Sequence, residues 1–193
     1  MTTITNNIAA ALLLSMALPL TAAEVGGIRI DEKATLGGQE LVLNGAGMRS
    51  RLVFKVYVGA LYVPQKTSKA QDIVGRNQPR RMMLMLQRDV SADMLLESLR
   101  AGMAENNSQA DLDAIKSQMD QFASIFKSVG EAKSGQVILI DYTPADGTRV
   151  MLDGISKGTI TGEPFNKALF NLWLGEHPVQ ESLKKALLGA SDN

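Results

Sequence analysis

The chain has no cysteine and a single histidine, His177. Those shortages remove a large share of protein chemistry at once. Without thiols there is no disulfide framework and no thiolate nucleophile, and with one imidazole neither a zinc cage nor a His-based triad can be assembled within one chain. Net charge is also missing, because 20 Lys and Arg offset 20 Asp and Glu. No long block of either sign supplies the electrostatic footprint of a nucleic-acid partner, and Arg80-Arg81 is too short to change that. The Gly45-Ala46-Gly47 segment lacks the third glycine and the following helix of a dinucleotide fingerprint. The longest apolar run falls short of the ~20 residues that cross a bilayer as a helix, and no cysteine is present for lipidation, so no stable membrane anchor is expected. No cofactor and no metal site is implied. Met82, Met83 and Met85 could offer thioethers to Cu(I), but methionine is equally a flexible core filler.

What is present starts with a leader. From Ile8 to Leu20 the chain is almost wholly apolar, and Thr21-Ala22-Ala23 supplies small residues of the kind a signal peptidase reads. Met1 to Asn7 contains no Lys or Arg, which departs from the usual pattern and leaves a buried N-terminal helix as the alternative. The expectation is a signal peptide over residues 1–23, a mature domain over 24–193, and a periplasmic or secreted protein. The lack of thiols suits an oxidising compartment. A mature chain of this length buries roughly 70% of its unfolded surface without staples.

Hydrophobic periodicity then sets the elements. Gly27 to Ile30 and Glu40 to Leu43 read as short strands around a Leu36-Gly37-Gly38 turn. Gly45-Ala46-Gly47 reads as a tight turn, since glycine permits positive φ and close backbone approach. A long strand follows from Leu52 to Tyr62, with Leu52, Phe54, Val56, Val58, Ala60 and Tyr62 on one face by period two, and Pro64 closes it. A short helix is expected between Ser68 and Val74, and a Met-rich strand from Arg80 to Gln87. Ser91 and Ser108 look like N-caps of two helices, the second with Asp111 three residues on, and Gly130 ends the pair. Gln136 to Tyr142 and Thr148 to Asp153 form a hairpin, Lys157 to Ile160 adds a strand, and Pro164 and Pro178 start the last helices. The sum is an α+β domain: an antiparallel sheet with helices mainly on one face.

The order of short motifs resembles the chalcone isomerase family. A Gly-Ala-Gly-x-Arg segment (Gly45 to Arg49) precedes a Lys-x-Tyr-x-x-x-x-Tyr strand (Lys55 to Tyr62). Arg88-Asp89, Glu105-Asn106 and Gly175-Glu176-His177 follow in the family's order. The resemblance spans most of Glu24 to Gly189. It implies an open-faced sandwich whose ligand cleft lies between the long sheet and a layer of helices.

The same resemblance suggests site residues. Arg49 matches the arginine that holds an oxyanion in the isomerases and a carboxylate in fatty-acid-binding relatives. Its guanidinium stays protonated and offers a planar fork of donors. The bland reading is an arginine that closes a turn or pairs with an acidic neighbour, and Arg51 competes for the same assignment. Tyr57 matches a threonine in the isomerases and a tyrosine in the fatty-acid-binding branch, although a sheet tyrosine often only packs. Asn106 matches a ligand-contacting asparagine, with a helix-ending role as the alternative. Leu99 and Leu172 stand where the catalytic members carry polar groups. Catalytic residues are therefore not assigned. The leading expectation is an exported, non-catalytic binder of a fatty acid or other apolar carboxylic acid. An isomerase or lyase acting through enolate or phenolate stabilisation is the alternative, as is an envelope module that recruits a protein partner.

Overall fold

The computed structural model describes residues 22–190. The expected leader lies outside them except for Ala22 and Ala23. Alternating apolar residues first build a small hairpin of β1 (Ala22–Val25) and β2 (Ile28–Asp31), then β3 (Lys33–Leu36), β4 (Gln39–Arg51) and β5 (Phe54–Val63). After α1 (Ala70–Val74) come β6 (Arg80–Leu86) and β7 (Val90–Ser91). Three helices follow: α2 (Ala92–Asn106), α3 (Gln109–Ala114) and α4 (Lys116–Val129). The chain finishes through β8 (Glu131–Ala132), β9 (Val137–Thr143), β10 (Gly147–Leu152), β11 (Ile155–Ile160), α5 (Glu163–Leu174) and α6 (Glu181–Leu187). Seven strands join in one antiparallel sheet, ordered β11-β10-β9-β6-β5-β4-β3.

Burial divides between the two faces. The larger core lies between the sheet and the helices, where Leu61, Met82, Leu84 and Ile140 meet Phe122, Phe165, Leu169 and Leu183. A smaller core on the other face packs Leu41, Leu43, Val58 and Ala60 under Ile30 of the opening hairpin. Tyr62 belongs to that second core, where its hydroxyl donates to the Asp31 carbonyl at 2.9 Å. The neighbouring strands carry an ion pair on this face instead: Arg81 forks onto buried Asp141 at 2.6 and 2.8 Å. Met83 and Met85 pack toward the smaller core while Met82 sits in the larger one, so alternation separates the methionines that the sequence groups together.

Both expected serine caps form. The Ser91 hydroxyl accepts from the Met94 N–H and that of Ser108 from the Asp111 N–H. The single helix expected after Ser108 is instead two, because the chain departs from helical geometry at buried Ile115 (φ −110, ψ 14) before α4 begins. Pro164 does sit in the first turn of α5, whereas Pro178 lies two residues before Gln180, the N-cap of α6.

The largest correction concerns Gly45-Ala46-Gly47. It is no turn; it is the middle of β4, paired with Leu61, Ala60 and Gly59 of β5. Its glycines serve the helix that crosses it. A Cβ on Gly45 would lie 2.0 Å from the Ala186 carbonyl oxygen, and one on Gly47 would lie 2.7 Å from the Ala186 Cβ. Helix α6 thus rests on bare strand backbone. Asn44 marks a shift in the β4–β5 register and fixes the helix end, donating to the Leu187 carbonyl at 2.7 Å. The chain reverses later, at Leu52-Val53, between the paired residues Arg51 and Phe54.

One charge lies wholly within the larger core. Arg80 donates to the carbonyls of Ile73 and Arg76 and to the Asn166 Oδ1 (2.6 Å). Its guanidinium also lies 4.9 Å from the Tyr142 ring centre and 5.1 Å from that of Phe170. Burial lowers its pKa to about 10, which still leaves it protonated at neutral pH. This cation ties α1 and α5 to the sheet.

Candidate ligand site

Between the sheet and the helical layer a cleft of about 350 Å³ remains open. Its walls are hydrocarbon: Leu84, Ile138 and Ile140 from the sheet, Leu95, Leu96 and Leu99 from α2, Phe122 and Phe126 from α4, and Leu169, Leu172 and Trp173 from α5. Polar groups gather at one side. Arg49 and Arg51 leave the end of β4, Arg88 follows β6, and Tyr57 and Ser98 supply hydroxyls. That volume falls toward the lower end of small-molecule sites and suits one acyl chain better than two.

A change of register aims the key residues. Arg49 pairs with Tyr57 and Ser50 with Lys55, so Val56 is an extra residue on β5. The simple period-two assignment therefore fails at this point. Phe54, Val56 and Tyr57 all line the cleft, whereas strict alternation would have turned Tyr57 away from the other two.

Tyr57 is buried, and its hydroxyl accepts a 2.9 Å hydrogen bond from the Trp173 Nε1. Burial raises its pKa above the ordinary phenol value, against the opposing pull of the Arg49 charge and the bond from Trp173. The group is a neutral hydroxyl at physiological pH. Among the described residues no acceptor takes its proton, which leaves a donor beside the Arg49 cation.

Arg49 is half-buried, and its backbone is held from both sides by one side chain. The Gln180 amide donates to the Met48 carbonyl at 3.2 Å and accepts from the Ser50 N–H at 2.8 Å. Gln180 also stands at the N-cap position of α6, so the helix that rests on Gly45 and Gly47 positions the arginine. Arg88 lies over the exposed Phe54 ring at 5.3 Å. Among the described residues, none of Arg49, Arg51 and Arg88 pairs with a carboxylate. Asp89, the acid next to Arg88, is engaged by the Lys133 ammonium and the Ser134 N–H.

The sequence-derived candidates separate in space. Arg49 and Tyr57 face each other in the cleft, and Arg51 stands exposed at its lip. Asn106 lies outside the cleft wall. Its amide donates to the Gly102 and His177 carbonyls and accepts from the His177 N–H, which ties the end of α2 to the loop after α5. Leu99 and Leu172 both line the cleft. Gln180 was not legible as a site residue, since its clamp needs a contact between distant segments. Arg88 belongs to the Arg88-Asp89 motif, which by itself assigns it no role.

The geometry defines an α+β domain with an apolar cleft between sheet and helices and cations at its rim. Residues 22–189 match the chalcone isomerase-like family model, and the chain belongs to that family. Among solved structures it is similar to the Arabidopsis thaliana fatty-acid binding protein, with a TM-score of 0.64 at 17% identity, covering 85% of this chain and 93% of that one. No curated protein matches the sequence.

Proposed function

We propose that this is an exported, non-catalytic protein that binds a fatty acid or another single-chain apolar acid, with Arg49 and the Tyr57 hydroxyl on the carboxylate. The observation that carries the reading is a half-buried guanidinium without a carboxylate partner at one side of a hydrocarbon cleft. A charge in that position is costly unless an anion completes it. Arg49 is a better anchor than Arg51, because Arg51 is exposed and its pairing would be weakened by water. The structural relative's fatty-acid binding agrees with this reading. Export rests on the apolar run from Ile8 to Leu20 and on Thr21-Ala22-Ala23.

An isomerase reading draws on the same Arg49–Tyr57 pair, which could hold a developing oxyanion. It lacks support from the rest of the wall. Among the described lining residues there is no carboxylate, imidazole or thiol to relay a proton, and Leu99 and Leu172 occupy the positions that would be polar in a catalyst.

Native mass spectrometry of freshly purified protein, followed by calorimetry with fatty acids and their methyl esters, tests the proposal. The acid is expected to bind and the ester to bind more weakly. Equal affinity for both would remove the anion from the reading. An enantiomeric excess in chalcone cyclisation that vanishes in Arg49→Ala would favour catalysis instead.

A further inference from the structure

The β4–β5 hairpin is shaped against its own turn preference. A two-residue reversal favours Asn, Asp or Gly where φ is positive, yet this chain places Leu52 there (φ 55) and follows it with a β-branched valine. The result is an apolar tip in water. Leu52 is 91% exposed, Val53 87% and Phe54 57%. Met94 at the start of α2 is another exposed apolar side chain on the cleft wall.

The charges on the hairpin itself have one sign. Arg49, Arg51 and Lys55 belong to the hairpin, Arg88 lies against Phe54, and no Asp or Glu occurs in the sequence between Glu40 and Asp72. Asp93 in the first turn of α2 is the acid next to Met94. An apolar wedge with a cationic collar complements an interface whose headgroups are anionic and whose interior is hydrocarbon. Backbone strain retained in order to expose hydrocarbon is a feature that stability alone would remove.

We propose that the Leu52-Val53-Phe54 tip docks this protein onto an anionic lipid surface with the cleft mouth facing the membrane. Leu52 and Phe54 belong to both the tip and the cleft wall, so a docked tip brings the opening to the acyl layer. The docking surface itself needs only the tip and its charges; its use for loading and unloading rests on the acid-binding reading above. A fatty acid would then pass between bilayer and cleft without crossing bulk water.

Flotation of the ligand-free mature protein with phosphatidylcholine vesicles, with and without phosphatidylglycerol, tests the docking. Binding is expected with the anionic vesicles and much less with phosphatidylcholine alone. Val53 and Lys55 are suitable variants because neither lines the cleft. Lys55→Gln is expected to weaken vesicle binding about fivefold, corresponding to ~1 kcal/mol for one basic side chain near an anionic surface. Val53→Glu is expected to weaken it about tenfold or more, since it removes apolar contact and adds repulsion. Both variants should keep the parent's melting temperature and its calorimetric affinity for a soluble fatty acid.

Unchanged flotation of Val53→Glu would overturn the proposal. So would equal binding to neutral and anionic vesicles. If sedimentation instead shows a dimer that Val53→Glu dissociates, with vesicle binding unaffected, the tip joins two copies and the membrane proposal fails. Vesicle binding without any acid binding would retain the docking surface and reject the cleft's proposed ligand.

Discussion

Two arginines project from one sheet into one helical layer, and their surroundings are opposites. Arg80 on β6 is enclosed: two backbone carbonyls and an asparagine oxygen accept from its Nε and Nη1, two aromatic rings flank it, and its buried Nη2 alone has no hydrogen-bond partner. Arg49 on β4 has a hydroxyl nearby, a weak 3.5 Å contact to the Ser50 carbonyl, and an apolar cleft beside it. The first cation is held by the protein through three hydrogen bonds and two ring faces. The second is positioned by the protein and, among the described residues, has no carboxylate partner. Burial alone would have ranked them the other way, since Arg80 is the more deeply enclosed. On the reading proposed above, a place beside an open cleft without a carboxylate partner, more than depth, distinguishes a binding charge from a structural one.

Substitution of each arginine should separate the two roles. For Arg49→Met, acid affinity is expected to fall by ~2–5 kcal/mol, the range for removing one member of a buried charge pair. Melting temperature should change little, because methionine keeps part of the packing and removes a costly charge. Calorimetry paired with thermal melts checks both, and a folded variant with parental affinity would break the contrast. Arg80→Met should do the reverse. Its carbonyl partners and Asn166 would lose their donors, at a cost of about 3 kcal/mol in denaturant unfolding.

Tyr57→Phe should have a smaller effect. It leaves the buried Trp173 N–H without its acceptor and removes the proposed second donor, so losses of about 1 kcal/mol are expected in both stability and acid binding. A binding loss as large as that of Arg49→Met would move the anchor to the hydroxyl.

Alkaline titration should give the gentlest change. All three tyrosines have raised pKa values, chiefly through burial, with Tyr62 pushed up to about 12. Above pH ~10 the unfolded chain releases phenolic protons that the native state retains, so stability should decline toward pH 12. Ultraviolet phenolate absorbance at pH 10 should be low in the native protein and appear on unfolding. Native absorbance matching that of the unfolded chain would show that these environments are wetter than the fold implies.

Much of the architecture was legible because local rules agreed. Ser91 and Ser108 start helices, Gly130 ends one with φ 74, and three strands run between Val137 and Ile160 where the sequence places them. The site was legible only in part. Arg49 and Tyr57 came from motif order, and the structure places both in the cleft. The turn assigned to Gly45-Ala46-Gly47 failed because glycine reports a need for space or for positive φ, and sequence alone did not separate them. Here the demand was for space, created by a helix about 140 residues downstream. Leu52-Val53 carries no turn signal, and Val56 gives no sign that it shifts the register. Gln180 reaches Arg49's backbone only through folding.

Two absent methyl groups therefore tune the site from a distance. Position 45 has the tighter tolerance, since its obstacle is backbone; position 47 meets first the Ala186 Cβ and then the Leu183 side chain. Any side chain at 45 would lift α6, and with it the amide that brackets Arg49. Gly47→Ala combined with Ala186→Gly would exchange which surface carries the methyl. The helix start thus acts as an adjusting screw for the guanidinium, able to shift its position without a single change in the cleft wall.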